Sequence, residues 1–163
     1  MNCKNRYILP LKVSDIQAYR TKKEFVQKGK LNDAHFGKLK YSIDFKCDEG
    51  TPIYATLAGK VVFVKDDSNA GGDDRKYWND GNRIAIKHVN NEYTGYEHLK
   101  CKGSKVKVGQ IVKKGQLIGF SGNTGYSECP HLHFEVFTDP TRDEVEGTTL
   151  KVRFAELKGV RKN

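Results

Sequence analysis

From residue 41 to residue 137 the chain is a succession of short runs rich in β-branched and aromatic residues, set off by glycine and asparagine. The runs cover residues 41–45, 53–57, 60–65, 83–88, 92–98, 111–112, 117–121 and 132–137. Such gaps leave no room for the helix of a βαβ crossover, so the strands are expected to pair mainly antiparallel. The predicted fold class is mainly β, with antiparallel sheets forming a groove and a short helical segment at the N-terminus. That segment is expected over 14–29, where Ser14 is a candidate N-cap and Ile16, Tyr19, Phe25 and Val26 follow a loosely helical spacing up to Gly29. Glycines recur at short intervals from Val106 to Gly119, as tight turns between strands require. At 163 residues there is material for one core. The expected division is an N-terminal extension over 1–30, the β domain over 31–156 and a tail over 157–163.

Charge narrows the partners. Twenty-nine Lys and Arg against 20 Asp and Glu give +9, enough for long-range attraction to a polyanion. There is no basic helix, no arginine-rich arm and no interleaving of aromatic with basic residues, so a nucleic-acid partner is not expected. No stretch approaches the ~18 apolar residues of a membrane span. Residues 1–11 lack the apolar core of a secretion signal, which leaves either a start downstream of a signal or another route out of the cell. Cys3, Cys47, Cys101 and Cys129 show no CxxC and no metal-knuckle spacing, which argues against a cysteine-based zinc site. Whether Cys129 pairs with Cys101 or Cys47 depends on distances that sequence does not give.

The sharpest chemical feature is Pro130-His131-Leu132-His133-Phe134-Glu135-Val136. Strand alternation puts His131 and His133 on one face, where two imidazoles can share a site. Asp44 lies within the otherwise apolar run Tyr41-Ser42-Ile43-Asp44-Phe45, and a buried carboxylate needs a cation or a set of hydrogen bonds. His35 precedes that run, and His98 ends another in Tyr96-Glu97-His98-Leu99.

Taken in order, the segments 41–45, Gly81-Asn82 with 84–88, 96–99, 119–125 and 130–136 resemble the lysostaphin-type (LytM-like) zinc metalloendopeptidases, over about residues 35 to 137. The resemblance implies a zinc held by His35, Asp44 and His133, with His98 and His131 serving catalysis. It implies peptidoglycan peptide as the substrate, zinc as the cofactor and a place at the cell wall or outside the cell. A basic surface would then hold a monomeric enzyme on anionic wall polymer. His88 resembles a recurrent non-ligand position and is read as structural. The polar loop 66–82, with Trp78, is expected to form one wall of the groove.

Coordination chemistry agrees with this division of roles. Two neutral imidazoles and one carboxylate leave a tetrahedral zinc one open position, as catalytic sites do. The chain has no HExxH glutamate, so a histidine has to take the water's proton, and His98 and His131 are the remaining candidates. Two departures stand out: the usual spacing is HxxxD, whereas His35 and Asp44 are nine apart, and Cys129 stands where glycine commonly precedes the proline. Three rival readings are weaker. A non-catalytic LytM-like activator would lack the ligands, a biotinyl or lipoyl carrier leaves every histidine unexplained, and Gly119-Phe120-Ser121-Gly122 is not a nucleophile elbow.

Overall fold

The computed structural model describes residues 1–21, 37–140 and 147–154. Its strands, in chain order, are β1 (Ala18–Thr21), β2 (Ile43–Lys46), β3 (Pro52–Tyr54), β4 (Gly59–Lys65), β5 (Gly71–Gly72), β6 (Arg83–Lys87), β7 (Tyr93–Glu97), β8 (Ile111–Val112), β9 (Leu117–Phe120), β10 (Gly125–Tyr126), β11 (His131–Thr138) and β12 (Thr148–Thr149). The main sheet runs β1-β2-β11-β7-β6-β4-β8, with β12 on the end of β11. Every pairing in it is antiparallel. Two small ribbons flank it, β3 with β9 and the parallel pair β5 with β10. Mainly antiparallel β structure is thus what the chain forms, and each run expected as a strand contains one.

Alternation explains the burial. In β11 the residues Leu132, Phe134 and Val136 enter the core, and their neighbours Phe45, Ile84, Ile86 and Tyr96 enter it from β2, β6 and β7. The phenylalanines meet as Phe45–Phe134 and Phe134–Phe154, at centroid distances of 6.4 and 5.8 Å. The opposite face takes the odd-numbered residues of β11, His131, His133, Glu135 and Phe137, which are also buried. A central strand covered on both faces has no solvent-facing side, so its polar residues must find partners within the protein.

Helical spacing over 14–29 misleads for the residues described. Val13–Asp15 is a single 3-10 turn, and Ala18–Thr21 is a strand paired with β2, entered through Gln17 N–H donating to Lys46 O at 2.9 Å. The open edge of β2 offers hydrogen bonds that a marginal amphipathic pattern cannot match. Residues 22–29, like His35, lie outside those described. The first residues also pack on the body: Tyr7, Leu9, Leu11 and Ile16 join the core. Glu92, fully buried, accepts hydrogen bonds from the backbone of Lys4 and Asn5 and from the Tyr7 hydroxyl. All four cysteines are free thiols, with Cys47 in the core.

His88 is held inside this body. Its Nδ1 lies 2.9 Å from Ala58 O, which can only accept, so Nδ1 carries the hydrogen and Nε2 accepts from Thr94 Oγ1 at 2.8 Å. Thr94 touches the Tyr96 hydroxyl, which takes the Thr56 backbone N–H. The edge of the Tyr7 ring closes the site. Burial pulls the His88 pKa below 6.5. The unfolded chain therefore takes the proton first. This contribution to stability is complete above about pH 6.5 and is lost as pH falls from there through the folded value. Urea titrations from about pH 7.5 to about pH 5 are expected to show falling stability, and His88→Gln to flatten that slope by up to about 1.4 kcal/mol per pH unit.

Candidate active site

The registers of β2, β11, β7 and β6 bring Asp44, His133, Glu97 and Arg83 into one lateral row, each opposite the next. Asp44 Oδ1 accepts from His133 Nδ1–H at 2.8 Å and lies 3.7 Å from His131 Nε2. Asp44, His131 and His133 are all buried. On the far side of His133, Arg83 binds Glu97 at 3.1 Å and Glu135 at 2.6 Å. Ser42 Oγ donates to the other oxygen of Glu135 at 3.3 Å. Gly95 lies between Ala85 and Glu135, and a Cβ there would come within 3.1 Å of Arg83 and Glu135 atoms, so glycine lets the guanidinium cross to Glu135.

His98 follows directly on Glu97, and alternation alone would send the two side chains to opposite faces. His98 instead has φ 59°, a left-handed conformation that costs about 1–3 kcal/mol in a non-glycine residue. Its ring turns back to the same face, 4.6 Å from the ring of His131 and 6.0 Å from that of His133, centroid to centroid. The next residue is clamped: Leu99 O accepts from Thr124 Oγ1 and Asn82 Nδ2, and Leu99 N donates to Asn82 O. This role accounts for Asn82, whose amide is saturated by Leu99 and by both backbone groups of Ser68.

Both remaining imidazoles are oriented by carbonyls. His98 Nδ1 lies 2.7 Å from Thr124 O and His131 Nδ1 lies 2.8 Å from Cys129 O, so both Nδ1 atoms carry hydrogen and Nε2 is left as the reactive nitrogen. Burial, then the neighbouring His131, pushes the His98 pKa down to about 3, so it is neutral at pH 7. For His133 burial acts downward, but the hydrogen bond and charge of Asp44, with Glu97 and Glu135, outweigh it and raise the pKa to about 9. Burial likewise opposes the Glu97 carboxylate, yet Arg83, then His133 and His98, hold its pKa below the usual value.

Loop 66–82 stands beside this cluster. It contains β5 and a 3-10 segment, Arg75–Asp80, and β5 pairs with β10 immediately after Thr124. Gly125 has φ +80° and a Cβ there would come within 2.6 Å of Gly81 Cα, so the two backbones touch only because residue 125 carries no side chain. Trp78, about half exposed, lies 6.1 Å from the Tyr126 ring, one residue before Ser127, whose hydroxyl contacts His131 Nδ1 at 3.1 Å.

Of the residues expected to act together, Asp44, His98, His131 and His133 converge, while His35 lies outside the described residues. Asp44 Oδ1 and His133 Nδ1 face one another as an oxygen and a nitrogen donor for a metal, and together with a third donor such as the His35 imidazole they fit a zinc site. Glu97 and Glu135 also have oxygens within 4.8 Å of a His133 nitrogen. Their bonds to Arg83 make them charge partners of that guanidinium, with less to offer a cation. Arg83, Glu97 and Glu135 are not singled out by sequence reasoning. The alternation His131, His133, Glu135 already puts Glu135 on the histidine face, whereas Arg83 and Glu97 need the strand register.

Residues 38–145 match peptidase family M23. Lysostaphin of Staphylococcus simulans is 43% identical over 100 residues, which is 61% of this chain and 18% of lysostaphin. The peptidoglycan DD-endopeptidase ShyA of Vibrio cholerae is 42% identical over 95 residues, 57% of this chain and 19% of that protein. The chain thus spans under a fifth of the length of these relatives. Among solved structures, a zinc-containing peptidase from Vibrio cholerae superposes with a TM-score of 0.57 at 30% identity, over 81% of this chain and 36% of that one. Arg83 is the test of the electrostatic frame: Arg83→Leu strands the buried Glu135 carboxylate and the partly buried Glu97, and is expected to cost about 3–5 kcal/mol of unfolding free energy in urea titration. Adding Glu97→Gln should recover part of that loss.

Proposed function

Because the chain belongs to peptidase family M23, we propose that it is a zinc-dependent endopeptidase that hydrolyses peptide bonds in bacterial peptidoglycan, in the stem peptide or the cross-bridge. The observation that carries the reading is the convergence of Asp44, His131, His133 and the partly buried His98 in one cluster beside loop 66–82. The peptidoglycan endopeptidase and the zinc-containing peptidase among its relatives supply the substrate class and the metal. Its place of action is accordingly the cell wall.

In this reading His35, Asp44 and His133 hold the zinc, His35 through a loop that lengthens the usual spacing. A zinc held in this way would polarise the scissile carbonyl and lower the pKa of a bound water towards about 7. His98, neutral and with Nε2 unprotonated, takes the proton of the attacking water and returns it to the leaving amine. His131, its Nδ1–H fixed on Cys129 O, in its protonated form stabilises the oxygen on which charge develops, with Nε2–H donating to that oxygen. Glu97, Glu135 and Arg83 keep the sheet beneath these groups close to charge balance.

Three histidine variants separate the roles. His133→Ala is expected to lose zinc and activity together by metal analysis and peptide-release assay. His98→Ala and His131→Ala should each keep zinc but lose on the order of 10²-fold or more in turnover. Retention of zinc by His133→Ala would sink the ligand assignment, and zinc uptake without release of peptide from any wall preparation would point to a regulatory domain. The groove wall has its own test. Replacing loop 66–82, or Trp78→Ala within it, should change the preference among peptidoglycans of different cross-bridge type, read by mass spectrometry of the products. An unchanged preference would count against the loop as a specificity element.

A further inference from the structure

Away from His98, His131 and His133, the N-terminal segment and the segment after β12 lie side by side. Asn2 and Lys151 form a parallel bridge, and Cys3 N and Lys151 N donate to Lys151 O and Met1 O. Between them lies a depression of about 480 Å³ lined by Arg6, Lys151 and Arg153 together with Asn5 and Tyr7, and no acidic residue lines it. All three cationic residues are exposed, and among the described residues none has an ion-pair partner. Glu92, which accepts from the backbone of Lys4 and Asn5 and from the Tyr7 hydroxyl, is buried and does not line the depression. Three cationic residues line one concave site and, among the described residues, no carboxylate pairs with them, an arrangement suited to an anion.

We propose that this depression binds a phosphate group of an anionic, phosphodiester-linked cell-wall polymer. Two guanidinium groups match phosphate oxygens in bidentate geometry, and the ammonium of Lys151 adds a third donor. The volume admits a phosphate with its flanking polyol units. Single-stranded nucleic acid is disfavoured, because the one aromatic ring in the lining, Tyr7, is buried with its hydroxyl bonded to Glu92 and offers no face to a base. Position fits a tether. Leu150 N donates to Val136 O near one end of β11, while His131 begins the other, roughly 15–20 Å away at strand spacing. A polymer held there leaves the groove open to peptide. The proposal rests on the peptidoglycan reading only in locating that polymer at the wall.

The test uses the full chain with poly(glycerol phosphate), and inorganic phosphate as competitor, in three forms: wild type, Arg6→Gln/Lys151→Gln/Arg153→Gln, and a charge-matched control, Lys60→Gln/Lys105→Gln/Lys107→Gln. Polymer affinity is expected to fall on the order of tenfold or more in the first variant and to change little in the control. Free phosphate should compete only weakly, and hydrolysis of a short soluble peptide should be equal in all three. Equal losses in both variants would reduce the effect to net charge and overturn the site, as would no loss in either or no binding by wild type. Tighter retention of wild type on duplex DNA than on the polymer would overturn the choice of ligand. Because polymer affinity is read separately from hydrolysis, an inactive wild type would strike the proposed function and leave this measurement standing.

Discussion

Antiparallel pairing of β11 between β2 and β7 is the constraint on which the site depends. Register, rather than any single contact, sets His133 opposite both Asp44 and Glu97. A slip of one residue would send His131, His133 and Glu135 into the hydrocarbon core and bring Leu132, Phe134 and Val136 to the polar face. The hydrophobic core therefore protects the chemistry indirectly. The free energy of burying Phe134 against Phe45, Tyr96 and Phe154 penalises the misregistered states in which the imidazoles would be lost.

Charge on the polar face is arranged to tolerate burial. Asp44, Glu97 and Glu135 would be costly singly, but His133 stands between the first two and Arg83 joins the second to the third. Negative charge flanking His133 gives a raised pKa, whereas His98, under the Leu99 clamp, is dominated by desolvation and by His131 and stays neutral. Neighbouring imidazoles on one face thus sit in unlike surroundings, His133 between carboxylates, as suits a group that would face a cation, and His98 held neutral by burial, as suits a proton acceptor.

Much of this architecture is legible in the amino-acid sequence. The strands are visible because the runs are β-branched, aromatic and separated by turn residues, and Asp44 is conspicuous as a carboxylate inside an apolar run. His131 and His133 follow from a period of two. What stays hidden depends on contacts between distant segments. Ala18–Thr21 has a weakly helical pattern and becomes a strand because β2 has an open edge. Arg83 and Glu97 are ordinary surface-type residues until register places them together. The turned-back ring of His98 comes from a backbone angle that no side-chain pattern announces, and its support, Asn82 and Thr124, comes from two other segments.

The bridge between Asn2 and Lys151 gives the molecule a polarity of its own. Residues 2 and 151 meet beside the end of β11 that lies away from Asp44, His131 and His133. A segment joined ahead of residue 2 would start beside Lys151 at that end, and the length of its linker would set how far the histidine cluster can range from its anchor.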